Sequence, residues 1–195
     1  MLDKNLYIMA GCNGAGKTTA SFTILPEMLN CKEFVNADEI AKGISPFQPE
    51  NVALEAGRIM LHRMDELLTH HQTFAFETTL ATKSYKPKIL AAQQNGYTVT
   101  LLFFWLQSPE LAKERVKTRV LEGGHNIETA VIERRYINGI RNLFDIYLPI
   151  SNQAFIFDNS EGKSILAAEK FTSTQLTIID SQRFNEIKNY YDRKG

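Results

Sequence analysis

Apolar positions fall along this chain in short unbroken runs, separated by longer stretches where they recur every three or four places. The compact runs are Leu6–Ala10, Phe34–Asn36, Phe74–Phe76, Val99–Leu106 and Ala154–Phe157. A run without polar alternation suits a strand covered on both faces of a parallel sheet. The intervening stretches predict helices starting near Lys17, Pro49, Ser84, Pro109 and Thr129. In the helix after Pro49, the expected packing face is Leu54, Leu61, Met64 and Leu68, with Met60 fitting it less well. Such alternation predicts an α/β fold of three layers with right-handed crossovers around a mostly parallel five-stranded sheet. After Phe157 the pattern changes. "SILAAEKF" and "QLTIID" read as a short C-terminal strand pair, followed by a polar helix from about Arg183. No repeat, low-complexity tract or linker divides the chain, so one domain over residues 1–195 is expected.

Charge and cysteine content narrow the classes. Lys plus Arg and Asp plus Glu are both 22, giving a net charge of zero. Proteins that grip nucleic acid through many phosphates usually carry a basic excess, so a nucleic-acid partner is disfavoured. Cys12 and Cys31 offer neither a disulfide framework nor metal-ligand spacing. The apolar run before Gly11 is too short for a signal peptide. Tyr97–Leu106, the greasiest stretch, falls short of the roughly 20 residues that span a bilayer. The expected location is cytoplasmic, with no membrane association.

Between the first strand and the first helix stands Gly11-Cys12-Asn13-Gly14-Ala15-Gly16-Lys17-Thr18, which fits G-x-x-x-x-G-K-[ST] without a mismatch. Glycines there let backbone N–H groups turn inward around a phosphate. Lys17 is expected to bridge the β- and γ-phosphates of a nucleoside triphosphate, with the Thr18 hydroxyl on Mg²⁺. Gly11, Asn13, Gly14, Ala15, Gly16 and Thr19 complete the nucleotide-binding set, and Cys12 contributes backbone alone. The guanine-reading NKxD of a GTPase is missing, as is the LSGGQ of a transporter ATPase.

What remains is the arrangement of a small kinase. Asp38, in "FVNADE" at the end of the second strand, is the candidate base; the competing reading makes it the N-cap of "DEIAKG", with Glu39 a solvated neighbour. Glu77 ends the third strand in "FAFETTL" and would hold Mg²⁺ through water or bind a substrate hydroxyl, unless it pairs locally. Thr78 and Thr79 follow it towards the acceptor. Ser108-Pro109 starts a helix well. On it Arg115 and Arg119 are four apart and share a face, where an anion would relieve their repulsion. "EGGHN" interrupts that helix, as suits a hinged lid over about residues 115–135, and the next helix carries Arg134 and Arg135. At least two of these four arginines are expected on the phosphates, with His125 at the lid tip a further candidate. Arg58 and His62 either line an acceptor pocket or are solvated surface. "FIFDNSEG" is where kinases of this architecture often place the adenine ring, although no side chain there is diagnostic.

With these residues assembled, the chain resembles the zeta toxin family of P-loop kinases. The resemblance runs through the phosphate loop, "VNADEIAKGISPFQPE", "AGRIML", "FAFETTL", "GGHNIETAVIERRY" and "FDNS". It implies an ATP- and Mg²⁺-dependent transfer of the γ-phosphate to a hydroxyl of a small molecule, UDP-N-acetylglucosamine in the toxins. In some systems an epsilon-type antitoxin blocks the nucleotide site. Lys17 and Thr18 match the phosphate-loop pair, Asp38 the base, and Glu77 the acid after the third strand. Arg119 is the better match for the first phosphate-binding arginine, with Arg135, Arg134 or His125 standing for the second. The lid is shorter than in the well-known toxins, which leaves open another acceptor, such as an antibiotic, a different sugar nucleotide or a polynucleotide end. A nucleotide-dependent binding protein without turnover is the reading from another class.

Overall fold

A computed structural model describes residues 4–124, 126–172 and 175–193. Five strands run parallel: β1 (Lys4–Gly11), β2 (Phe34–Val35), β3 (Phe74–Thr78), β4 (Tyr97–Trp105) and β5 (Gln153–Asp158). Two more, β6 (Ile165–Lys170) and β7 (Thr177–Ile178), continue the sheet antiparallel, and the order is β2-β3-β1-β4-β5-β6-β7. The expected C-terminal strand pair is thus no separate unit, and the sheet has seven strands among the described residues rather than five. The reason lies in the turn after β5. Gly162, at a φ of 79°, helps the chain reverse within a few residues, and β6 takes the open edge of β5.

The helices are α1 (Lys17–Thr23), α2 (Ala37–Ile44), α3 (Ala53–Thr69), α4 (Lys86–Gln94), α5 (Pro109–Leu121), α6 (Thr129–Asn142), the single turn α7 (Leu148–Ile150) and α8 (Ser181–Asp192). β1 sits at the centre between β3 and β4, and Ile8 faces Phe76 on one side and Leu101 on the other. Leu6, Ile8, Met9 and Ala10 are buried, as are Val99 and the run Leu101 to Leu106, which accounts for their unbroken apolar pattern. Because strand order reverses beside β1, the crevice beyond its carboxyl end is open to a ligand.

Two helices differ from the sequence expectation. α2 is a full eight-residue helix rather than one turn, because Asn36 caps it. α3 packs through Ala56, Met60, Met64 and Leu67, while Leu54 is 84% and Leu61 40% exposed. Once Met60 and Met64 set the buried face, Leu54, two positions from Ala56, lies about 200° round the helix. No helix among the described residues is long and apolar enough to cross a membrane.

α5 and α6 lean on the core along their length, through Ala112 and Val116 on one and Ile132, Tyr136 and Ile140 on the other. α6 is also tied to the loop after β3. The Asn142 amide donates to the Leu80 carbonyl at 2.7 Å, and in the helical segment Leu143–Tyr147 that continues α6 the Tyr147 hydroxyl donates to the Thr82 carbonyl at 2.6 Å. A Cβ on Gly139 would stand 2.6 Å from the Thr79 carbonyl oxygen. Helix propensity alone would make Gly139→Ala stabilising by roughly 0.5–1 kcal/mol. The contact reverses the sign: we expect a net loss of about 1–3 kcal/mol, read from the midpoint of urea unfolding.

Candidate active site

The phosphate loop leaves β1 at Gly11, at a φ of 142°, and turns through Gly14 and Gly16, both at 79°. Its bare side faces protein. A Cβ on Gly11 would lie 2.2 Å from the Phe104 carbonyl oxygen, on Gly14 2.9 Å from that of Ala112, and on Gly16 2.7 Å from the Asn159 amide nitrogen. β4, α5 and the loop after β5 therefore press on the outside of the turn, and a side chain at any of the three would push it open. Cys12 is buried, and burial pushes its thiol up to about 11, so at neutral pH it is an uncharged filler beneath the loop.

Lys17 opens α1 and is buried. Its ammonium donates to the Cys12 carbonyl at 3.0 Å across the loop and lies 3.5 Å from Glu77 Oε1. The other Glu77 oxygen, Oε2, accepts from the Thr18 hydroxyl at 2.8 Å and from the Asn36 amide at 2.9 Å. Glu77 is thus a junction where the loop's lysine, its threonine and the start of α2 meet. A carboxylate this enclosed requires such donors, since burying it without them would be costly. Thr18 and Glu77 together present hard oxygens at the loop, which suits Mg²⁺, a cation that usually takes one or two protein ligands beside phosphate and water.

Asn36 performs a second task with its other amide atom. Oδ1 accepts from Asp38 N at 2.8 Å and from Glu39 N at 3.4 Å, capping α2. The capping role considered for Asp38 therefore belongs to Asn36. Asp38 stands in the first turn of α2 and lines a cleft of about 390 Å³ together with Asn13, Lys17, Asn36 and Glu77. Thr78, Thr79, Thr82 and Tyr85 form another wall, and Arg134, Arg135 and Asn138 of α6 close it. Arg135 Nη1 reaches Asn13 Oδ1 at 3.4 Å, so this arginine already rests against the phosphate loop. A smaller hollow of about 200 Å³ continues past Asp38 and Arg135, lined also by Pro49, Glu50, Ala53, Asn126 and Ile127.

The opposite flank of the loop lies at the ends of β4 and β5. There the Asn159 amide donates to the Ala15 carbonyl at 2.7 Å, and Arg115 Nη2 donates to the Ser160 carbonyl at 2.8 Å. Arg115 packs beside Gly14 by its stem and reaches the 158–161 turn by its head. Its place is thus on the β4 and β5 flank of the loop, apart from the arginines of α6. Arg119 is in the last turn of α5 and is not among the cleft's lining residues. Its Nε and Nη2 are buried without a partner among the described residues. Arg58 is exposed on α3 and does not line the cleft, while His62 borders a separate groove beside β2. His125 lies outside the described residues. Thr19 is exposed.

Sequence reasoning passed over Asn36, Asn138 and Asn159. For Asn36 a signal existed: an asparagine directly before "ADEI" is a helix start. The other two become functional candidates only through contacts far away in sequence.

The Zeta toxin family model matches residues 2–170. An uncharacterised protein of Haemophilus influenzae (strain Rd) is 30% identical over 144 residues, covering 70% of this chain and all of that one. Among solved structures, the AvrRxo1-ORF1:-ORF2 complex with ATP superposes with a TM-score of 0.75 at 15% identity, over 95% of this chain and 63% of that one. This chain therefore spans less than two thirds of the chain it matches there. The PezAT toxin-antitoxin system of Streptococcus pneumoniae superposes with a TM-score of 0.68 at 15% identity, over 100% of this chain and 81% of that one.

The two duties of Asn36 can be separated. Asn36→Ala, which loses both, is expected to lower stability by about 1–2 kcal/mol in denaturant titration. Asn36→Ser keeps an N-cap and should recover most of that stability, while leaving Glu77 without its third donor.

Proposed function

The chain belongs to the zeta toxin family, and from that membership we propose that it is an ATP- and Mg²⁺-dependent kinase acting on a hydroxyl of a small molecule. The observation that carries this reading is the Glu77 junction, which joins the phosphate-loop pair Lys17 and Thr18 to the capped helix bearing Asp38 across one cleft. A protein that merely held nucleotide would have no need of a second carboxylate, Asp38, facing the same cleft.

In this reading the glycine-turned backbone from Asn13 to Thr18 holds the phosphates, and Thr18 with Glu77 would hold Mg²⁺. Bound ATP supplies the phosphoryl group, and the metal offsets its charge. Asp38 takes the proton of the acceptor hydroxyl. Lys17 and Arg135 face the transferring group from two sides and stabilise the charge it spreads over its oxygens. Arg134 joins them at the cleft rim. Arg119, with two buried side-chain nitrogens unpaired among the described residues, is the further arginine that would gain from an anion. Thr78, Thr79 and Thr82 offer hydroxyl and carbonyl groups to the acceptor. The hollow beyond Asp38 gives room for an acceptor that extends past the reacting hydroxyl, which favours a sugar nucleotide such as UDP-N-acetylglucosamine over a small alcohol. An antitoxin protein is the partner this family membership supports, and the PezAT system is one where such a pair is named.

The test is incubation with MgATP, with and without UDP-N-acetylglucosamine, and mass spectrometry of the products. We expect a sugar nucleotide heavier by one phosphoryl group. Asp38→Ala should keep ATP binding and lose transfer by about 10²–10⁴-fold. Unchanged turnover in that variant would remove Asp38 from the reaction, and ATP binding without any phosphorylated product would sink this acceptor.

A further inference from the structure

The C-terminal helix lies beyond the residues that the family model matches, yet it is bonded into the turn beside the phosphate loop. α8 starts at the N-cap Asp180, whose carboxylate accepts from Arg183 N at 3.0 Å. The Arg183 guanidinium pairs with Asp158 Oδ2, with Asp180 at 3.2 Å and with Glu161 at 3.5 Å. Of these acids Asp158 is the buried one, at the end of β5. Its second oxygen, Oδ1, accepts from the Ser160 backbone N–H at 2.9 Å and from the Ser160 hydroxyl.

Ser160 then passes the connection on. Its hydroxyl oxygen accepts from Gln107 N at 2.8 Å, and its carbonyl accepts from Arg115 at 2.8 Å. The neighbouring Asn159 donates to Ala15 within the phosphate loop. α8 grips the same network a second time, since the Tyr190 hydroxyl donates to the Gln107 carbonyl at 3.0 Å. The packing of Phe184 and Ile187 in the core fixes the helix that makes both contacts.

We infer that α8 is a positioning element for nucleotide binding, acting through the Arg183–Asp158 pair on the turn of residues 158–161. This rests on the reading that a nucleotide fills the phosphate loop. The geometry then divides its parts. The acceptor cleft occupies the β2 and β3 flank, so the nucleoside leaves the loop on the β4 and β5 flank, between Arg115 and the Asn159-Ser160 turn. Arg183 touches none of the phosphate-loop residues. Its effect is to keep Asp158 aimed, so that Ser160 and Arg115 stay where the nucleoside meets them. Removing it would leave a buried carboxylate without its cation, and the turn would loosen as Asp158 swings towards water.

Two probes distinguish positioning from general support. Tripolyphosphate engages the loop alone, whereas ATP also needs the nucleoside side. We expect Arg183→Gln to weaken MgATP by about 10-fold in calorimetry, the scale of one charge-assisted bond, with tripolyphosphate affinity unchanged. Arg183→Lys, which keeps the charge, should show the same pattern at about threefold, and it carries the comparison if the glutamine variant fails to fold. Lys188→Ala, exposed on the same helix, should bind both probes as the wild type does. Equal weakening of both probes, or of neither, overturns the inference while leaving the nucleotide reading intact. Wild-type protein that binds tripolyphosphate but gains nothing from the nucleoside, or that binds neither, overturns the nucleotide reading and this inference with it.

Discussion

A single enclosed carboxylate organises the catalytic half of this molecule. Glu77 is held at the end of β3, where neighbouring strands and α1 exclude most of the water that would otherwise solvate it. It therefore depends on Lys17 and Thr18 at the phosphate loop and on Asn36 at the start of α2. Satisfying one charge brings together the phosphate loop, the third strand and the second helix. The position of Asp38 follows, because the residue that donates to Glu77 also caps the helix on which Asp38 sits. Glu77, Asp38 and the phosphate loop are thus spaced by hydrogen bonds rather than by loop length.

The phosphate loop illustrates how two demands select the same residue. An inward-facing array of N–H groups asks for positive φ, which Gly11, Gly14 and Gly16 supply. Close packing from outside asks independently for hydrogen at the same three α-carbons, because Phe104, Ala112 and Asn159 occupy the space. The loop is held in its open-mouthed form by neighbours, so little ordering remains to be done when an anion arrives. Lys17 is likewise ordered, resting on the Cys12 carbonyl and near Glu77.

The sequence made the central strands, the phosphate loop and the order of strands and helices readable, because each leaves a local mark: unbroken apolar runs, glycine spacing, Ser-Pro at a helix start. It showed where Asp38 and Glu77 stand along the chain but not how they are joined, since that link runs through an asparagine that bonds with both of its amide atoms. The packing face of α3 was misread because Leu54 and Leu61 are as apolar as Met60 and Met64, and only the sheet decides which set is covered. The arginines were readable as a group and not as individuals. Arg115, Arg119 and Arg135 have the same chemistry, and their separation into the 158–161 turn, helix end and cleft depends on how α5 and α6 lie against the loop. The C-terminal strands looked detached because strand pairing across a tight turn has no signature beyond the glycine that permits it.

The seam between α6 and the loop after β3 has a mechanical meaning. Gly139, Asn142 and Tyr147 lock that helix to the carbonyls of Thr79, Leu80 and Thr82, so the arginine clamp and the threonine wall form one body. In the proposed reaction, a motion that brought Arg134 and Arg135 down on a phosphate would carry the acceptor's own wall with it. Filling the acceptor site and gripping the donor would then be a single displacement seen from two ends. Such a linkage would gate the proposed transfer on the presence of both substrates, and it would leave a lone water, which presses on neither wall, with little means of triggering the grip.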